Sequence, residues 1–260
     1  MLKKFCLILL LLCFVLCSCQ KIEKSNDLLT EIVKRDKLIV GVRTDTAPFG
    51  FLNEKGEHDG YDIDLAKRIA KVILDDENKV EYVPVTASNR ILKLNSGEVD
   101  MLIATMSVTA KRQFVVDFSV PYYIAGQAVM VNSDNQATRL RDFEGKKIII
   151  IFGSTSEGNI GKNIRDVEVM GFKTYKEAFK ALKERKADCI VADDTVLMGY
   201  AIKDNSVKLL PKRYSEEPYA VALRQGEESK RLMSKVNYII DNLQQTRQLF
   251  RMQEKWGIKE

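Results

Sequence analysis

Four apolar runs of strand length stop abruptly at polar or charged residues, and helix signals lie between them. Leu38 to Val42 leads into Arg43-Thr44-Asp45, and Met101 to Ala104 into Thr105-Met106-Ser107. Ile148 to Phe152 leads into Gly153-Ser154-Thr155-Ser156, and Cys189 to Ala192 into Asp193-Asp194. From Lys37 onward this alternation predicts an α/β fold with parallel sheets flanked by helices. In open sheets of that kind, ligands bind in the crevice beyond the carboxyl ends of the strands. Arginines and an acid at those ends, with Arg90 at the start of a nearby helix, suit a small zwitterion.

The first residues read as an export signal rather than as part of the fold. Lys3 and Lys4 precede an apolar run from Phe5 to Leu16, followed by Cys17-Ser18-Cys19. Cleavage after Ser18 leaves Cys19 first, and Leu-x-small-Cys resembles the bacterial lipobox, which implies a diacylglyceryl group on Cys19. The competing reading is a retained membrane anchor, but the run is shorter than the roughly 18–20 residues that a spanning helix needs. Gln20 to Leu28 is polar and reads as a tether, with residues 19–36 as a lipidated linker.

Charge and cysteine usage exclude several classes. The 41 basic and 36 acidic residues nearly balance, and no clustered basic stripe points to nucleic acid. Four of the five cysteines lie in the signal, so no disulfide can form inside the fold, and Cys189 reads as a buried small hydrophobe. The one histidine, His58, falls in a polar turn, which leaves neither a conventional zinc site nor a Ser-His-Asp triad. Gly153-Ser154-Thr155 lacks the lysine of a phosphate-binding loop.

A weak internal repeat suggests two similar lobes. Arg90 to Thr105 reads helix, turn, Asp100, apolar strand, polar end; Ala178 to Asp193 reads the same way around Asp188. Tyr61 to Ile73 reads as a helix, with Leu65, Ile69 and Ile73 on one face and Asp62 and Asp64 at the start, where the helix dipole favours acids. Val221 to Leu223 reads as a strand, and Glu227 to Gln244 and Arg247 to Trp256 as amphipathic helices that return to the first lobe. The expected division is 37–122 with 221–260 for lobe 1, and 123–220 for lobe 2.

Gly60-Tyr61-Asp62-Ile63-Asp64-Leu65 resembles the signature of family 3 solute-binding proteins, the extracytoplasmic receptors of polar amino-acid ABC importers. Gly97-Glu98-Val99-Asp100, Thr109-Ala110-Lys111-Arg112, Val116-Asp117-Phe118-Ser119, Pro121-Tyr122-Tyr123 and Lys255-Trp256-Gly257 agree with it in order, from about Lys37 to the C-terminus. The resemblance implies a type II periplasmic-binding-protein fold, a two-lobed Venus flytrap that closes on one amino acid. It further implies a monomer without cofactor or metal, lodged on the outer side of a bacterial membrane and partnered by an ABC permease.

Carried over residue by residue, the resemblance gives Arg112 the ligand α-carboxylate, for which a planar guanidinium is suited. Thr105 and Ser107 contribute from the first lobe, and Ser154 and Thr155 from the second. Asp193 pairs with the α-ammonium, and Tyr175 and Tyr219, with Phe49, close the walls. Arg43 and Arg90 line the side-chain pocket. Three arginines against Asp193 leave surplus positive charge, so the expected cargo is glutamate or aspartate. Asp45 complicates this, because it could neutralise Arg43 or accept an amide N–H from glutamine. Glutamine or another polar amino acid is therefore the alternative. An enzyme of dehydratase type would need Glu157 or Asp194 as its acid or base; a sensor or adhesin is the remaining class.

Overall fold

The computed structural model of the protein describes residues 27–258. The export signal and residues 19–26 of the expected tether, Cys19 among them, lie outside them. Among the described residues, no helix is long and apolar enough to cross a membrane.

Residues expected to be tether instead open the fold. Helix α1 (Leu28–Arg35) is capped by Asp27, whose carboxylate accepts the Thr30 N–H. Leu28 and Ile32, one turn apart, bury their side chains in the first core, against the long helix α8 (Glu227–Gln245). The spacing Leu28/Ile32 after an aspartate cap was a helix signal within the sequence.

The first sheet has the order β5-β1-β6-β13-β7. Its strands are β1 (Leu38–Val42), β5 (Val80–Pro84), β6 (Met101–Leu102), β7 (Asp117–Ala125) and β13 (Glu217–Leu223). β1 runs parallel to β5 and β6, while β13 returns antiparallel between β6 and β7. Helices α2 (Tyr61–Leu74), α3 (Arg90–Asn95) and α4 (Ala110–Gln113) link these strands, and α8 and α9 (Gln248–Lys255) pack on the sheet from the C-terminal side. A small sheet, β2 (Asp45–Thr46), β3 (Gly50–Leu52) and β4 (His58–Asp59), caps the end of β1.

The second sheet has the order β10-β9-β11-β8-β12. It contains β8 (Gln127–Asn132), β9 (Lys147–Ile151), β10 (Glu168–Phe172), β11 (Cys189–Asp193) and β12 (Val207–Leu209). Helices α5 (Ser156–Asn163), α6 (Tyr175–Lys183) and α7 (Asp194–Ala201) flank it. The two repeat aspartates do the same work in each lobe. Asp100 accepts the N–H of Ile39 at 2.8 Å, and Asp188 accepts that of Lys147 at 2.9 Å. Each therefore ties its own strand to the start of the neighbouring parallel strand, which fixes register and sets Thr105 and Asp193 at matching ends.

The chain passes between sheets at Gly126 and again within 210–216. The expected limits at 122/123 and 220/221 fall inside strands, because β7 and β13 stay paired as far as Ala125 opposite Glu217. Around the site the sheets are close. A Cβ placed on Gly153 would sit 2.6 Å from the Ala87 carbonyl oxygen, and one on Gly199 would sit 2.0 Å from that of Ala47. Each glycine belongs to the second half and each alanine to the first, so the cleft is shut around its charged residues.

Candidate functional site

The strand ends converge as the sequence pattern predicts, but their charges pair differently. Arg43, at the end of β1, is buried and donates from Nε and Nη2 to Asp45 Oδ1 at 3.1 and 2.6 Å. The other carboxylate oxygen, Asp45 Oδ2, accepts the Tyr175 N–H at 3.2 Å. The Arg43 guanidinium lies over the Tyr175 ring, 5.5 Å from its centroid. Asp45 thus ties a first-lobe arginine to the N-terminus of a second-lobe helix. The surplus charge expected of Arg43 is cancelled beside it.

Arg90 is also buried, and one edge of its guanidinium is engaged by the first lobe. Nη1 donates to the carbonyl oxygens of Ala104 at 2.7 Å and Thr105 at 3.3 Å, while buried Nε has no partner. Desolvation, then the Arg112 and Arg43 charges, pulls its pKa well down. Asp62 lies wholly buried behind it; burial raises the Asp62 carboxyl to about 6, against hydrogen bonds from Tyr122 and Thr105 and the Arg90 and Arg43 charges. Three buried guanidiniums are therefore set among the carboxylates of Asp45, Asp62 and Asp193.

Arg112 reaches across the cleft. Its Nη1 donates to the Ser107 carbonyl at 2.7 Å and its Nη2 to the Gly153 carbonyl at 3.0 Å. Burial lowers its pKa, opposed by the Asp193 and Glu217 charges. Asp193 ends β11 and accepts the Tyr219 hydroxyl at 2.6 Å. Burial raises its carboxyl to about 7, with Glu217 pushing the same way and the Tyr219 hydrogen bond and Arg112 opposing. Tyr219 is fully buried and also meets Thr195 Oγ1 at 3.0 Å; Ser107 forms a lone antiparallel bridge to it. The charges of Asp193, Arg43, Asp45 and Arg90 all act on the Tyr175 hydroxyl.

Of the two second-lobe hydroxyls expected at the site, one is engaged and one is unpaired. Thr155 Oγ1 accepts Gln127 Nε2 at 2.9 Å, whereas buried Ser154 Oγ has no partner. Unpaired buried polar atoms are costly, so Arg90 Nε and Ser154 Oγ are the atoms that a polar ligand would satisfy. Phe49 belongs to the core, in edge contacts with Tyr61, Tyr123 and Tyr219.

Several residues near the site escape a strand-end reading. Gln127 follows the crossing glycine and bonds both Thr155 and Ser156. Glu217 opens β13 as a buried acid, accepting from Ser215 and Asn159; a charge at the start of an apolar strand was its signal. Asp194, the base an enzyme would need, accepts Arg213 Nε at 2.6 Å and the N–H groups of Gly126 and Thr195 at 3.1 and 2.8 Å. Those bonds commit it to the crossing, and Glu157 is exposed. Among the described residues, no group of three or more His, Cys, Asp or Glu side chains could hold a metal ion.

Two α/β halves closed on a buried constellation of paired charges define a binding clamp for a small polar molecule. The chain belongs to the bacterial extracellular solute-binding proteins, family 3, which match residues 38–259. Membership places it outside the cytoplasm, in the service of amino-acid transport. It is similar to the ABC transporter glutamine-binding protein GlnH of Bacillus subtilis, at 36% identity over 92% of this chain and 87% of the relative. It is likewise similar to the glutamine-binding protein of Geobacillus stearothermophilus, at 44% identity over 74% of each. Among solved structures, an ancestral arginine-binding protein bound to glutamine superposes with a TM-score of 0.80 at 38% identity, covering 86% of this chain and 99% of the other. The architecture is that of type II periplasmic binding proteins.

Proposed function

We propose that this protein captures glutamine outside the cytoplasm and presents it to an ABC permease. One observation carries the choice of cargo: Asp45 already neutralises Arg43, at 2.6 Å. With Asp62 near Arg90, and Asp193 and Glu217 acting on Arg112, no arginine is left without an acid, so a zwitterion with an uncharged side chain suits the site. The glutamine-binding relatives support the same choice. Glutamate and aspartate, expected from three arginines against Asp193, would bring a charge with no free counter-ion.

In this reading Arg112 holds the α-carboxylate and Asp193 the α-ammonium. Thr105, Ser107 and Ser154 add hydrogen bonds, and Asp45 and Arg43 face the side-chain amide beside Tyr175. Thr155, held by Gln127, and Tyr219, held by Asp193, shape the walls. The two lobes close as units about Gly126 and 210–216, stabilised by a ligand that touches both. Cys19 carries the lipid anchor, and the protein acts as a monomer.

The test is a thermal-shift screen of the twenty amino acids on the purified protein, followed by calorimetry. A ligand that binds only the folded state raises the melting temperature according to its concentration over Kd. Glutamine is expected to give the largest shift. A larger shift with glutamate or aspartate would overturn the charge balance, and no shift with any amino acid would overturn the reading itself.

A further inference from the structure

One peptide unit in the first lobe is gripped at both ends by buried groups of opposite charge. Its N–H, from Thr105, donates to Asp62 Oδ2 at 3.0 Å. Its carbonyl, from Ala104, accepts Arg90 Nη1 at 2.7 Å. The remaining carboxylate oxygen, Asp62 Oδ1, accepts the Tyr122 hydroxyl at 2.9 Å, from the strand that runs to the crossing. Thr105 has a φ of 45°, a left-handed conformation that a β-branched residue seldom takes unless its surroundings impose it.

We propose that Asp62 is a positioning residue for ligand capture: with Arg90 it sets the Ala104–Thr105 peptide and so holds the Thr105–Ser107 edge in the shape that receives the backbone end of an amino acid. This rests on reading the cleft as an amino-acid site and deepens it. Asp62 is fully buried, so it acts through the peptide and not by touching cargo. A charged acceptor makes a stronger hydrogen bond than a neutral one, and two oxygens let it serve the peptide and Tyr122 together. The groups facing it are Arg90 from α3, Arg43 from the end of β1, the Thr105 N–H after β6 and Tyr122 from β7. Burial raises its carboxyl to about 6, so mild acid removes the charge that grips Thr105.

The experiment uses Asp62→Asn, which keeps the shape and removes the charge, read by calorimetry with L-glutamine and L-glutamate and by the Thr105 amide resonance. Replacing a charged by a neutral acceptor is expected to weaken both ligands by the same factor, about five- to tenfold. The shared factor follows because the edge faces the backbone end common to both. In the wild type the Thr105 resonance should titrate around pH 6, between about pH 5 and pH 7, and in the variant that step should be missing. A variant that binds glutamine as the wild type does, or a wild-type Thr105 resonance that stays flat, overturns the proposal. Should the variant fail to fold, the wild-type titration decides. A wild type that binds no amino acid fails the cleft reading, whereas equal binding by wild type and variant fails Asp62 alone.

Discussion

Asp45→Asn should move the cargo preference from amide toward acid. The carboxylate removed is 21% exposed and lies 2.6 Å from an arginine side chain that is 2% exposed. An anion on the opposite edge of that guanidinium would stand about 4–6 Å from Asp45, where two unit charges at an effective dielectric near 20 interact by roughly 3–4 kcal/mol. Partial exposure screens this, so we take about half, near 1.5–2 kcal/mol, which is roughly ten- to thirtyfold in affinity ratio. Calorimetry with L-glutamine and L-glutamate, on wild type and variant in one buffer, gives the ratio directly. Asparagine keeps one acceptor oxygen, enough for Arg43 or for the Tyr175 N–H but not for both, so the melting temperature of the free protein serves as a control for folding. An unchanged glutamate-to-glutamine ratio in a folded variant would refute the claim that Asp45 sets the charge of the side-chain pocket.

Two further expectations follow from the same geometry. Asp193 has its carboxyl raised to about 7 by burial, but must be ionised to meet an ammonium; glutamine affinity should therefore fall as pH drops through 7, with protons released on binding. Asp62 adds in the same direction lower down, and Asp193→Asn should bind weakly and lose the upper part of the profile; a flat wild-type profile would count against the ammonium role. Gly153→Ala should hold the lobes apart, since φ there is 78° and the new Cβ would lie 2.6 Å from Ala87 O. A left-handed alanine costs about 1–2 kcal/mol of stability whether the lobes are open or shut, while the clash with Ala87 arises only on closure and should lower affinity about tenfold or more in a protein that stays folded. Small-angle scattering that shows a normally compact bound state would contradict it.

The linear chain determined the alternation of strand and helix, the repeat around Asp100 and Asp188, and the strand ends where charged residues gather. These are local patterns: periodicity marks which face is buried, and a polar residue after an apolar run marks where a strand leaves the core. Helix α1 is equally legible, through Asp27 and the Leu28/Ile32 spacing, although the polar residues around it read as tether. Only the tertiary structure decided who pairs with whom. Arg43 could have met a cargo carboxylate or Asp45, and the turn into β2 brings Asp45 onto it. Arg90 reads as a pocket arginine in one dimension, yet the fold spends its Nη1 on Ala104 and Thr105. Asp62 reads as a helix-dipole acid, and lies instead beneath a peptide 43 positions away. The physical reason is that a buried charge is balanced through space. Its partners are set by packing, and separation along the chain carries no record of them.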